Sequence, residues 1–150
     1  MRIVAQRVSR ASVTIDGKVK SAIGPGMMVL LGIEEADSGD DVEWLCGKLS
    51  KLRIFGDDND AMNLDIKQIE GSFLVVSQFT LHAMTKKGNR PSFIRAARPE
   101  QAIPLYELFV QRLREVSGRE VLTGEFGAMM AVELINDGPV TIIMDSKQKE

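Results

Sequence analysis

The chain has 150 residues, of which 44% are hydrophobic and 27% charged, and its formal net charge is −2. That length suits one domain with a core large enough to stand without disulfides or metal, and the slight acidic excess rules out coating nucleic acid by bulk electrostatics. The single cysteine, Cys46, excludes an intrachain disulfide and any cysteine-based zinc cluster.

The opening MRIVAQRVSRASV carries charges throughout and lacks the apolar core of a signal peptide. No apolar stretch approaches the length of a membrane span, so a cytoplasmic protein without membrane attachment is expected. Residues 2–15 predict a long strand or hairpin arm, with Val4, Val8 and Val13 set among polar residues, and Asp16-Gly17 predicts a turn. Gly24-Pro25-Gly26 is a second turn signal, launching an apolar strand over 27–33. Ser38 to Asp41 cap a helix whose Val42, Leu45, Cys46, Leu49 and Leu52 follow helical spacing, which makes Cys46 a buried, inert thiol. Residues 55–63 read as loop, and SFLVVSQFTL (72–81) as the most strand-like segment.

Pro99 opens a second helix with an apolar stripe of Ile103, Tyr106, Val110, Leu113 and Val116, ended by Gly118; Pro104 fits only if it lies in the first turn. Val132–Ile135 and Val140–Met144 predict two hairpin strands joined by Asn136-Asp137-Gly138-Pro139. Pro139 is unusual there, because it gives no N–H to a ladder and can hold a cis bond after Gly138. The expected fold is a single mixed α/β domain, with two main helices packed on a largely antiparallel sheet or barrel.

Standard catalytic constellations are missing. The one histidine, His82, follows the strand at Leu81; there is no G-x-S-x-G elbow and no P-loop. Asp57, Asp58 and Asp60 fail the calcium-loop pattern at its later positions and read as a solvated turn. Neither metal nor cofactor is expected. Two segments stay open on physics alone. Lys86, Lys87, Arg90, Arg95 and Arg98 form a basic stretch with no acid among them, either a solvated loop or a phosphate-binding surface. Ser77, Gln78 and Thr80 interrupt an apolar run, either as a strand emerging into solvent or as a pocket rim with Phe79 as its wall.

Ser77-Gln78-Phe79-Thr80-Leu81 and Asn136-Asp137-Gly138-Pro139-Val140-Thr141 resemble the two signature motifs of the D-aminoacyl-tRNA deacylases, also called D-tyrosyl-tRNA deacylases. The likeness continues through QRVSRASVTIDG (6–17), LLGIE (30–34), RIFGD (53–57), MNLD (62–65) and GNRPSF (88–93), in family order. GEFGAMM (124–130) also resembles the pattern, with Met129 where the family carries an acidic residue. The resemblance implies a homodimeric hydrolase that cleaves the ester between a D-amino acid and the 3′ end of tRNA. Ser77, Gln78, Phe79 and Thr80 would line its site, and a cross-subunit Gly-cisPro element, Gly138-Pro139, would reject L-amino acids. Glycine mischarged onto a non-cognate tRNA would fit the same site.

Thr80 is the obvious nucleophile, but it has no convincing base near it in sequence, and the family view favours participation by the ribose 2′-OH. An aminoacyl ester is already activated, so positioning and backbone N–H groups near Gln78 to Thr80 can supply much of the acceleration. The basic stretch 85–98 then becomes the candidate grip on the tRNA terminus. Two other readings stand beside this one: a non-catalytic nucleic-acid-binding protein on the same scaffold, and a small-metabolite hydrolase using Thr80 and His82.

Overall fold

The computed structural model describes all 150 residues. Its strands are β1 (Arg2–Ile15), β2 (Lys18–Ile23), β3 (Gly26–Gly32), β4 (Phe55–Gly56), β5 (Met62–Leu64), β6 (Ser72–Ser77), β7 (Val121–Thr123) and β8 (Ala131–Asp145). Its helices are α1 (Gly39–Ser50) and α2 (Pro99–Ser117), and a 3-10 turn covers Phe79–His82. The main sheet runs β2-β1-β3-β6-β7, with β8 on the other side of β1. β1 is antiparallel to β2, β3 and β8, whereas β3–β6 and β6–β7 are parallel. Parallel neighbours need a crossover connection, and α1 and α2 supply the two.

β3 and β6 are buried on both faces, which is why their sequences are nearly continuous apolar runs rather than alternating ones. Met27, Val29, Leu31, Phe73 and Val75 join the helices in the larger core, while Met28, Leu74 and Val76 meet Val8, Ala11, Val13 and Ile23 in a smaller one. The sheet curls until Ser21 Oγ of β2 donates to the carbonyl of Thr123 in β7 at 2.6 Å, nearly closing a barrel.

α1 begins where its cap predicts, with Ser38 N–H donating to Asp41 Oδ2 at 2.8 Å. α2 buries Tyr106, Val110 and Leu113, but Ala102 and Phe109 complete its stripe, and Ile103 is exposed instead. Pro104 is the sixth residue of α2, past the first turn. It is tolerated because it and Glu100, whose carbonyl it cannot serve, both lie on the solvent face.

Three boundaries differ from expectation. The 55–63 loop contains part of a small β4–β5 hairpin, organised by Asp57 accepting from the N–H groups of Asn59 and Ala61. β6 stops at Ser77: Gln78 N–H makes the last ladder bond, to Leu31 O at 2.8 Å, and the chain then coils into the Phe79–His82 turn. Most consequentially, 132–144 is not a hairpin. β8 is one strand of 15 residues, antiparallel to β1 along nearly its whole length. Thr141 pairs with Gln6 and Asn136 with Val8, so residues 137–140 bulge out opposite Arg7 alone. Proline is tolerated at such a bulge, where no ladder N–H is required.

The start of β1 is locked to its neighbours by charge. The Met1 α-amino group donates to Asp37 and to Ser146 Oγ, and Lys147 Nζ pairs with Asp41 at 2.9 Å. No helix is long and apolar enough to cross a membrane.

Candidate active site

The parallel strands β3 and β6 end together, with Leu31 beside Ser77, and the chain then folds into the 79–82 turn. Ser77, Gln78, Phe79 and Thr80 are therefore brought together at one sheet end, on a turn rather than on alternating faces of a strand. Gln78 N–H bonds Leu31 O, and Leu81 N–H bonds Gln78 O. The intervening N–H groups of Phe79 and Thr80 lie at the start of a 3-10 turn, where no intrahelical acceptor exists, and both residues are exposed.

Phe79 stands 53% exposed and meets Phe93 edge-on, with ring centroids 5.1 Å apart. Beneath it a small crevice is lined by Leu31, Ile33, Ser77, Ala97 and Phe126. The Thr80 hydroxyl accepts from the Gln78 carboxamide, its one side-chain partner, and a carboxamide is not a base. His82 is 2% exposed and neither ring nitrogen has a hydrogen-bond partner, so it packs as an apolar wedge. Tyr106 is likewise structural: its buried hydroxyl donates to Val75 O at 2.7 Å, and burial pushes its pKa up to about 12.

The second element is the β8 bulge. Asn136 closes it with its own side chain, accepting from Val140 N–H at 2.9 Å and donating to Val140 O at 3.2 Å. Across the strand, Arg7 Nε donates to Asp137 O at 2.8 Å, and Nη1 donates to Ile54 O at 2.7 Å. Gly138 has φ +136°, and a Cβ there would sit 2.9 Å from Arg7 Nη2 and 3.0 Å from Val140 N. Only glycine fits that space without displacement. The Gly138–Pro139 peptide is cis, and both residues are exposed. Within one chain, no hydrogen bond or ion pair joins this bulge to the 77–80 turn, and the crevice under Phe79 contains no residue of β8. Arg7 was not singled out from sequence; an arginine in mid-strand, flanked by Gln6 and Val8, was the signal available.

The basic stretch divides. Met84 and Ser92 exchange both backbone hydrogen bonds, clasping a loop that carries Lys86, Lys87 and Arg90 at its exposed tip. These three and Arg98 make no ion pair, whereas Arg95 pairs with the buried carboxylate of Glu34 at 2.7 Å. Arg95 thus anchors the segment to the residues after β3. No group of three or more His, Cys, Asp or Glu side chains is placed to hold a metal ion.

A family model described as D-Tyr-tRNA(Tyr) deacylase matches residues 4–145, from β1 through the 77–80 turn to the end of β8. The chain belongs to the D-Tyr-tRNA(Tyr) deacylase family. Proteins named D-aminoacyl-tRNA deacylase from Bacteroides fragilis, Akkermansia muciniphila and Flavobacterium johnsoniae are 65%, 61% and 57% identical to it, over the whole of each chain. Among solved structures, one named c-Myc DNA Unwinding Element Binding Protein is 41% identical, with a TM-score of 0.90 over 97% of this chain and 98% of its own. Another, described as a probable eukaryotic D-amino acid tRNA deacylase, shares 17% identity at TM-score 0.80, over 95% of this chain and 97% of its own. That last likeness extends the deacylase family's fold to distant sequences.

Proposed function

We propose that this chain hydrolyses the ester between a D-amino acid and the 3′-terminal ribose of tRNA, and that it acts in the cytoplasm as a homodimer. The observation that carries the reading is the exposed 77–80 turn, whose free Phe79 and Thr80 N–H groups stand over a crevice within a chain of the deacylase family. Water adds to the ester carbonyl, negative charge collects on its oxygen, and those N–H groups receive it. The C–O bond then breaks, and the ribose oxygen leaves with a proton. The ribose 2′-OH assists as proton carrier, which accords with a Thr80 hydroxyl that has no base beside it.

Chiral selection falls to Gly138-Pro139 of one protomer reaching into its partner's site. A pocket that accepts many D side chains must crowd the α-carbon on the L side, and main chain serves that purpose without rotamer freedom. Exposed Met129, Val132 and Ile135 on and beside the first half of β8 support a dimer contact there, because such apolar exposure marks interfaces. Glycine, with no side chain to exclude, fits the same site. Lys86, Lys87, Arg90 and Arg98 hold the tRNA phosphates, and Arg95 positions them.

A second reading, nucleic-acid binding without catalysis, is favoured by one observation: the 41%-identical solved relative is named for binding a DNA element. One assay separates the two. Purified protein is incubated with D-Tyr-tRNA, L-Tyr-tRNA and Gly-tRNA, and ester loss is followed beside RNA and DNA binding. Rapid loss of the D-ester with the L-ester spared is the expected result. Tight binding with no ester loss would establish the second reading.

A further inference from the structure

Arg2 lies two residues ahead of the segment that the family model matches. Its guanidinium is divided between two elements. Nε and Nη2 donate to one carboxylate oxygen of Asp145, at the end of β8, at 3.0 and 2.9 Å. Nη1 donates to the carbonyl of Leu81, inside the 79–82 turn, at 2.7 Å. The neighbouring carbonyls of Gln78 and Thr80 are served by the N–H groups of Leu81 and Ala83, while Leu81's own is served by Arg2. The turn also rests on Gly32, the residue paired with Arg2 across β1 and β3, where a Cβ would come 2.9 Å from Leu81 Cβ and 3.1 Å from Gln78 O. With His82 wedged in the core, Arg2 is the one charged grip on the turn.

We propose that Arg2 is a positioning residue for deacylation. By holding the Leu81 carbonyl it sets the tilt of the Phe79 and Thr80 peptide groups, and Asp145 fixes the guanidinium plane that this requires. The inference rests on the reading of 77–80 as the reaction site. A planar fork serves a carboxylate and a carbonyl at fixed angles; a lysine ammonium, a point charge on a flexible stem, does not. The Arg2 side chain is partly exposed in an open cleft of about 500 Å³, lined also by Trp44, Lys48, Ile143 and Asp145. A small guanidinium ion therefore has a path to the vacated position in Arg2→Ala.

The test is kcat and KM for D-Tyr-tRNA in Arg2→Ala, Arg2→Lys and Asp145→Asn, well below each melting temperature, with ethylguanidinium added to each. Amide hydrogen exchange at Leu81 and Ala83, whose N–H groups bond Gln78 O and Thr80 O within the turn, is measured alongside in the free proteins. In Arg2→Ala, kcat is expected to fall about tenfold or more, as small misplacements of reacting groups do, while KM stays within about twofold. Ethylguanidinium is expected to restore part of the Arg2→Ala rate and leave wild type unchanged, and exchange at the two amides is expected to rise. If Arg2→Ala fails to fold, the same kcat-only loss in Arg2→Lys and Asp145→Asn carries the test. Unchanged kcat, a loss in KM alone, or unaltered exchange at the turn overturns the role of Arg2 while wild type remains active. A wild type inactive on D-Tyr-tRNA overturns the reading of the site itself.

Discussion

The turn after β6 and the bulge in β8 are both main-chain devices, yet they are fixed in opposite ways. The turn is held from behind: Leu31 and Gly32 lie under it, His82 is buried beside it, and only Phe79 and Thr80 face outward. The bulge touches the core only through half-buried Val140. Its shape comes from the Asn136 side chain and from Arg7, which bonds Asp137 O while anchored to Ile54 O, and its tip, residues 137–139, is exposed. The turn therefore inherits the stability of the core, whereas the bulge depends on a few local bonds. Damage to the core beneath the first should appear in folding, and damage to the second chiefly in activity.

The largest expected effect is on the turn's foundation. Leu31 is 1% exposed, and Leu31→Ala should cost about 2–5 kcal/mol of unfolding free energy, read by urea denaturation, with activity falling as the fold is lost. Next comes Gly138→Ala, which forces the bulge to move away from Arg7 and Val140. A displacement near 1 Å costs on the order of a hundredfold in rate, so the folded mutant should deacylate D-Tyr-tRNA poorly with its urea midpoint nearly intact. A matching loss of stability would erase the distinction between the two regions.

Asn136→Ala removes both closing hydrogen bonds, worth together about 1–2 kcal/mol, and should lower the ratio of D-Tyr-tRNA to L-Tyr-tRNA cleavage by about tenfold. Thr80→Ala should keep its rate to within about tenfold, because no base stands ready to activate the hydroxyl. An inactive but folded Thr80→Ala would make that side chain the nucleophile.

The smallest effect is general to the fold. Burial pushes the Asp41 carboxyl up, but hydrogen bonds from Ser146, Lys147 and Ser38 and attraction to the α-amino group outweigh it and hold the carboxyl well below the usual carboxylate range. A depressed folded pKa contributes stability above the unfolded value, near about 4, and loses it as pH falls further. The urea midpoint should drop below about pH 4, and Asp41→Asn should flatten that dependence.

Both helices were legible in the sequence because their signals are local: Ser38 before one, Pro99 opening the other, Gly118 after it. Pro104 conflicts with helical hydrogen bonding in the sequence, and which face of α2 meets solvent is set only by the packed fold. The 72–81 run reads as strand to its end because Phe79 and Leu81 continue the apolar pattern. Its stop at Ser77 comes with the 79–82 turn seated on Gly32 of β3, a long-range contact with no sequence signal. The Asn-Asp-Gly-Pro segment carries ordinary turn chemistry, and a hairpin was the economical reading. That β1 offers a partner on both sides of the bulge is a property of the whole sheet. Arg7 and Arg2 were passed over for the same reason, since their partners lie far away in the chain.

Cys46 lies wholly inside the larger core, with its thiol against Phe109 O, and burial pushes its pKa up to about 12. The chain's only sulfhydryl is thus silent toward aromatic disulfide reagents while the fold is closed and becomes reactive once the helices part. Colour release from such a reagent at mildly alkaline pH would time each global opening event. It could do so with tRNA bound or absent, and with no label introduced.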